Sequence, residues 1–374
     1  MSTAVRRVAT PPEPTLDATT SVTRPAPSVP DRSAAPPSGP PPARRGRQAA
    51  RAAGLVAAVA LLGVVLLLSI AVGAKAMPLS DVWSGLLHRD ATEYAVVHRM
   101  RLPRTVLGLL AGAALGVAGA VMQALTRNPL ADPGLLGINA GASAAVATAA
   151  AFLGVTAIGG YVWFALLGAA VVTALVYAVG GGRGATPARL ALAGAALNAT
   201  LYSYVSAVML LDTASLERLR FWTVGSLASA DSATVTRVLP FILVGLLVAL
   251  GAARPLNALA LGDDAARALG ARPALIRAAV IVAVTLLCGA ATAACGPIVF
   301  VGLLVPHLVR ALTGPDLRWL LPYCAVLAPV LLLGADVLGR VLGRPGELQV
   351  GMVTAVLGGP LFLWLVTRGR VAHP

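Results

Sequence analysis

Charge is scarce in this 374-residue chain: only 12% of its residues are Asp, Glu, Lys or Arg, about half the share of a soluble globular domain. A water-facing surface cannot be built from that supply, which excludes an ordinary soluble enzyme or binding module. Lysine is nearly absent, Lys75 being the only one. No Walker A sequence G-x-x-x-x-G-K-[ST] can therefore be written, and P-loop nucleotide binding by this chain is excluded. The three cysteines, Cys288, Cys295 and Cys324, lie in or near apolar runs without C-x-x-C spacing. That argues against a zinc site or a disulfide framework and for small buried apolar residues. Also missing are H-E-x-x-H, G-x-S-x-G and any pair of carboxylates in an apolar setting. Basic stretches interleaved with aromatics, the mark of a nucleic-acid surface, are absent as well. The sequence thus offers no catalytic group, no cofactor site and no metal site.

What it has is apolar sequence: 57% of the chain, arranged in runs close to the roughly 20 residues that cross a bilayer core. Ten such runs stand near 54–74, 104–125, 135–153, 160–179, 188–211, 236–252, 274–294, 298–312, 320–339 and 350–367. They predict an all-α polytopic membrane protein with about ten transmembrane helices. The run at 298–312 is short, and that at 135–153 is rich in Gly and Ala. Ahead of them, residues 1–51 carry eight Arg against Glu13, Asp17 and Asp31. This Pro-, Ala-, Ser- and Thr-dense segment cannot bury a core, so residues 1–50 are expected to form a disordered cytoplasmic tail and 51–374 the membrane domain. The apolar run begins beyond residue 50 with no small-residue cleavage site after it, unlike a secretory signal.

With the N-terminus inside and ten alternating spans, cytoplasmic segments hold 19 Lys/Arg and outer ones ten. The positive-inside rule supports this orientation, with both termini cytoplasmic. Without the tail the count is 11 to 10, so the outer face is unusually basic. Arg99, Arg101 and Arg104 crowd the outer entrance of the second span, and Arg340 and Arg344 flank the outer end of the ninth. Such arginines either snorkel to lipid headgroups or form a rim that receives carboxylates bidentately. Asp336 is an intramembrane acid, a functional signal by default, yet Arg340 four residues on offers a simpler i,i+4 ion pair. His307, beside Arg310, reads as a satisfied histidine at a helix end rather than a proton relay.

The longest inner loop, Arg254 to Arg277, contains GDDAARALGAR. Gly262 precedes a short helix there, Asp263 and Asp264 suit its N-terminus, and Gly270 ends it. The helix is either a surface connector or a knob for a cytoplasmic partner. Another polar break, Arg127 to Gly134 (RNPLADPG), separates the second and third spans. Unpaired backbone is not tolerated against lipid, so this break must lie at a membrane surface or line a protein cavity. Gly108, Gly112, Gly116 and Gly119 in the second span, Gly137 and Gly141 in the third and Gly194 in the fifth favour close helix packing. Asn198, Ser203 and Ser206 supply either a polar path or interhelical hydrogen bonds.

Taken in order, RLPRT, GAVMQALTRNPLADPGLLGINAGAS, LALAGAALN, LGDDAARALG, CGPIVFVGLLVPHLVR and GELQVGMVTAVLGGPLFLWLV strongly resemble the permease subunits of ABC importers for ferric siderophores, haem and cobalamin. The resemblance spans about residues 80–370. It implies a cobalamin-importer-type permease fold in the plasma membrane of a prokaryote, dimerising with a second copy or a paralogue around a central path. It also implies two cytoplasmic ATPase subunits, an external substrate-binding protein and alternating access. By the same resemblance Arg101, Arg104 and Arg340 dock the binding protein. Gly262, Asp263, Asp264, Ala265, Ala266, Arg267, Ala268, Leu269 and Gly270 form the segment that couples to the ATPase. Asn128, Leu130 and Thr186 belong to the cytoplasmic gate. The expected cargo is a ferric-siderophore-type chelate, with cobalamin or haem as alternatives and an ion-coupled secondary transporter as the rival class.

Overall fold

A computed structural model describes residues 43–73, 77–88, 93–155, 158–180, 187–212, 217, 220 and 222–367. The expected tail lies almost wholly outside these residues, as does Thr186. Among the described residues every regular element is helical. In chain order they are α1 (Ala43–Ala71), α2 (Leu79–Leu87), α3 (Tyr94–Thr126), α4 (Ile138–Phe152), α5 (Ile158–Gly180), α6 (Pro187–Leu211), α7 (Ser232–Gly251), α8 (Ala253–Ala260), α9 (Asp263–Ala268), α10 (Pro273–Cys295), α11 (Val301–Thr313), α12 (Leu317–Leu342) and α13 (Val350–Thr367).

Seven of them are long and apolar enough to cross a membrane: α1, α3, α5, α6, α7, α10 and α12. Three more, α4, α11 and α13, are shorter apolar helices. All ten fall on the apolar runs of the sequence. The boundaries follow local chemistry. Asp231 accepts from the Thr234 N–H at 2.6 Å and starts α7. Pro273 opens α10, where its missing N–H is no loss. Arg127, in the left-handed region at φ 50°, ends α3.

The core is organised around α3. Its apolar stretch is 78% buried, against 17% for α6 and 22% for α1. It packs most extensively on α12 and also on α10, α11 and α7. Four glycines make the close approach possible. A Cβ on Gly112 would stand 2.5 Å from the Pro329 backbone, and one on Gly116 2.4 Å from Ala328 Cβ. The helix stripe read from sequence as tight packing is therefore a backbone-to-backbone seam, in which small residues replace the water-driven burial unavailable in lipid. Gly141 of α4 and Gly168 of α5 form a second seam of the same kind. Cys288, Cys295 and Cys324 are buried, unbonded thiols in this core.

Candidate functional site

The sequence-derived positions gather at the two ends of α3. Arg104 and Arg127 are 23 residues apart on it, roughly 35 Å at 1.5 Å per residue.

At the first end a five-residue π-helical turn, Val97–Arg101, leads into the regular helix and brings Arg101 and Arg104 to bear on α1 and α12. Arg104 reaches Asp336 at 2.8 Å and Glu347 at 2.7 Å. Arg340 meets the other Asp336 oxygen at 2.9 Å, so the i,i+4 pair read from the sequence is present within α12 but shared with Arg104 of a second helix, α3. Arg340 is 2% exposed. It also donates to the carbonyls of Ser69 and Val72, and to Ser69 Oγ. Arg101 donates to the carbonyls of Ile70 and Ala71, and Arg344 to that of Gly73. Three guanidiniums thus close the C-terminal end of α1, whose last carbonyls have no partner within the helix and carry its negative pole. Arg101, Arg104, Arg340 and Arg344 outnumber Asp336 and Glu347 by two charges; the helix end takes up part of that excess. Arg101 and Arg340 are buried rather than snorkelled, while Arg99 and Arg344 are the exposed arginines here.

At the far end the RNPLADPG break is half surface and half interior. Arg127, Asn128 and Leu130 are exposed, whereas Pro129, Ala131 and Pro133 are buried. Its backbone is satisfied locally: Asn128 Oδ1 accepts from the Leu130 N–H at 2.9 Å, and Asp132 Oδ1 from the Gly134 N–H at 2.7 Å. Burial lifts the Asp132 carboxyl above the usual carboxylate range, and the Gly134 N–H offsets part of that rise. Asn198 of α6 donates to the Gly134 carbonyl at 3.0 Å, and Thr292 of α10 to Asn139 Oδ1 at 2.9 Å. Gly134 belongs to a 3-10 turn, Pro133–Leu136, and its carbonyl also accepts from the Gly137 N–H at 2.9 Å, so the break is held both by its own turn and by α6. Of the two readings left open for Asn198, an interhelical bond is the one observed.

The short loop helix is present as α9. Gly262 at φ 113° and Gly270 at φ 80° bracket it, a region that favours glycine. Ala266 is buried against the bundle. Asp263 is held by Arg277 at 2.8 Å, and Arg267 pairs with Asp264 at 2.8 Å. Ala265 and Ala268 are exposed, as are Leu261 and Leu269, the latter two by 70% and 67%.

Several partners were not visible in the sequence. Arg127 donates to the Leu259 carbonyl of α8 and stands 3.8 Å from Asp263, which ties the break to α9. Ser69 and Glu347 complete the arginine cluster. No short-range spacing marks these pairs, since they join residues 132 to 271 apart. Among the described residues no cluster of His, Cys, Asp or Glu could hold a metal ion.

Comparison with known proteins agrees with this architecture. The FecCD transport family matches residues 61–368. The ferric enterobactin transport system permease protein of Escherichia coli (strain K12) is 46% identical over 322 residues, which cover 83% of this chain and 96% of that one. The hemin transport system permease protein of Yersinia pestis is 38% identical, covering 82% and 94%. A solved metal-chelate type ABC transporter in an inward-facing conformation superimposes with a TM-score of 0.75 at 28% identity, covering 84% of this chain and 98% of that one. The chain belongs to the FecCD transport family and is a polytopic membrane permease of the ABC-importer class.

Proposed function

We propose that this permease carries ferric-siderophore-type chelates inward by alternating access, driven by separate ATPase subunits. The observation that carries the reading is the 46% identity, over nearly the whole length of the relative, to a permease named for ferric enterobactin. Uptake of radiolabelled iron chelates by cells tests it. Ferric siderophore uptake should fall to background when either this permease or its partner ATPase is inactivated. Uptake that survives ATPase loss would point to an ion-coupled carrier. Haem is the second cargo to assay, on the 38% identity to the hemin permease; hemin-specific uptake would replace the siderophore reading.

In this reading α9 seats in the ATPase, and the exposed Leu261 and Leu269 supply apolar contact there. The external binding protein meets the opposite, arginine-bearing end. Arg101, Arg104 and Arg340 hold that docking face together from within, while the exposed Arg99 and Arg344 present positive charge on it. The thinly buried α6 faces a second permease. Asn128 and Leu130, with Thr186, narrow the inner mouth. Each state is favoured only as far as a partner binds it better than the other.

Arg127 gives the inner end a mechanical route, because it grips both α8 and Asp263 while starting the break that holds Asn128 and Leu130. Arg127→Ala in the assembled transporter should lower uptake about tenfold, a coupling of about 1.4 kcal/mol, with ATP hydrolysis retained. Unchanged transport per ATP would remove Arg127 from the route.

A further inference from the structure

Near α9 a cavity of about 80 Å³ opens between the end of α3, α8, the end of α11 and the start of α12, lined among others by Arg127, Asn257, Arg310, Pro315 and Leu317. Arg310 is what makes it unusual. The residue is 4% exposed, its Nη1 is buried without a hydrogen-bond partner, and none of the ion pairs among the described residues includes it. A buried guanidinium without a counter-charge is strongly unfavourable, and bound water leaves the charge unbalanced.

The acids nearby are already engaged. Asp316 Oδ1 takes the Asn257 amide at 2.7 Å and the Arg318 N–H at 3.0 Å. Asp263 is bound by Arg277. Two arginines, Arg127 and Arg310, line the cavity and no acid does. The N-terminus of α12 adds its positive pole. We propose that the cavity is an oxyanion site for a phosphate group, with Arg310 as the buried anchor and the more exposed Arg127 as the second cation at its mouth.

Two sources carry that group: inorganic phosphate and a phospholipid headgroup. A groove of about 790 Å³ between α1, α11 and α12 shares Pro315 with the cavity and is lined by Ala57, Leu61, Leu312 and Leu327 among others. It would receive the acyl chains in the lipid case.

The test is the unfolding temperature of the full chain, stripped of lipid, for wild type and Arg310→Gln. One arm titrates sodium phosphate in detergent against sodium chloride at matched ionic strength. The other compares nanodiscs of phosphatidylglycerol with nanodiscs of diglucosyldiacylglycerol, which has no phosphate. At about 100 times Kd the wild type should gain about 3 °C, and Arg310→Gln should lose that gain. A gain in the first arm identifies free phosphate; a gain in the second alone identifies lipid. Equal gains in wild type and variant, or none in either arm, overturn the site. If Arg310→Gln does not fold, Ala260, which also lines the cavity, gives a second variant: Ala260→Leu narrows the cavity while leaving Arg310 in place, and it must lose the gain too; a gain retained in Ala260→Leu overturns the proposal.

Discussion

Asp336→Ala should destabilise the folded permease by about 3–5 kcal/mol, the penalty for stranding a buried charge. Asp336 is fully buried and serves two guanidiniums from two helices. Without it Arg104 keeps Glu347, but Arg340 keeps only carbonyls and the Ser69 hydroxyl. Those are dipoles, and they cannot neutralise a charge that has no access to water. The second half of the expectation follows from the same physics. Replacing both members of a buried pair by apolar groups removes the desolvation penalty along with the attraction. Asp336→Ala with Arg340→Met should therefore recover a substantial part of the loss, although Met cannot close the end of α1. Unfolding of purified protein by denaturant measures both. A single variant within about 1 kcal/mol of wild type would show that the cluster is solvated and that the carboxylate does not hold it together.

Gly119→Leu should be comparably damaging for a purely steric reason. A Cβ at this position would lie 1.8 Å from the Gly302 carbonyl oxygen and 2.6 Å from Gly302 Cα. The obstacle is the backbone of α11, which no rotamer change can clear, so α3 and α11 must separate. Overpacking a rigid core costs about 1–3 kcal/mol and occasionally more; a backbone collision on the most buried helix belongs at or above the upper end. Gly63 in α1 supplies the control, since nothing lies within 4 Å of its Cβ position. Gly63→Ala should be neutral or stabilising by up to about 1 kcal/mol through helix propensity. Equal thermal stability of the two variants would mean that the seam yields, and that these glycines are not needed for contact.

The sequence made the helices legible because lipid imposes one strong rule: each span must be apolar and about 20 residues long. Hence the Gly/Ala-rich run at 135–153 and the short run at 298–312 are two of the three shorter helices. The ends of α9 were equally readable, since Gly262 and Gly270 declare themselves by type. Three elements escaped, one of them the nine-residue α2, too short to register as a span. The first helix begins at Ala43, upstream of the apolar run, because arginine-rich sequence can stay helical outside the bilayer. The eight-residue α8 sits within the polar inner loop of the sequence, where Arg254 and Asn257 in so short a segment leave too little helical period to register. The arginines were visible as a cluster, but their partners were not. Whether Arg101 faces a headgroup, an acid or a carbonyl depends on which residues lie 30 or more positions away, and helix packing alone decides that. Spacing located the charge; only the tertiary contact revealed that it closes α1.

That closure has a consequence for biosynthesis. The groups that cap α1 are made at very different times: Arg101 soon after it, Arg340 271 residues after Ser69. At about 5–20 residues per second, the first helix waits roughly 15–50 s for its last cap. Until the ninth span enters the membrane, α1 stands beside its neighbours with its end half sealed, and chains truncated before that span can never seal it. The clamp therefore records that synthesis is nearly complete: only a nearly full-length permease can lock its first helix in place.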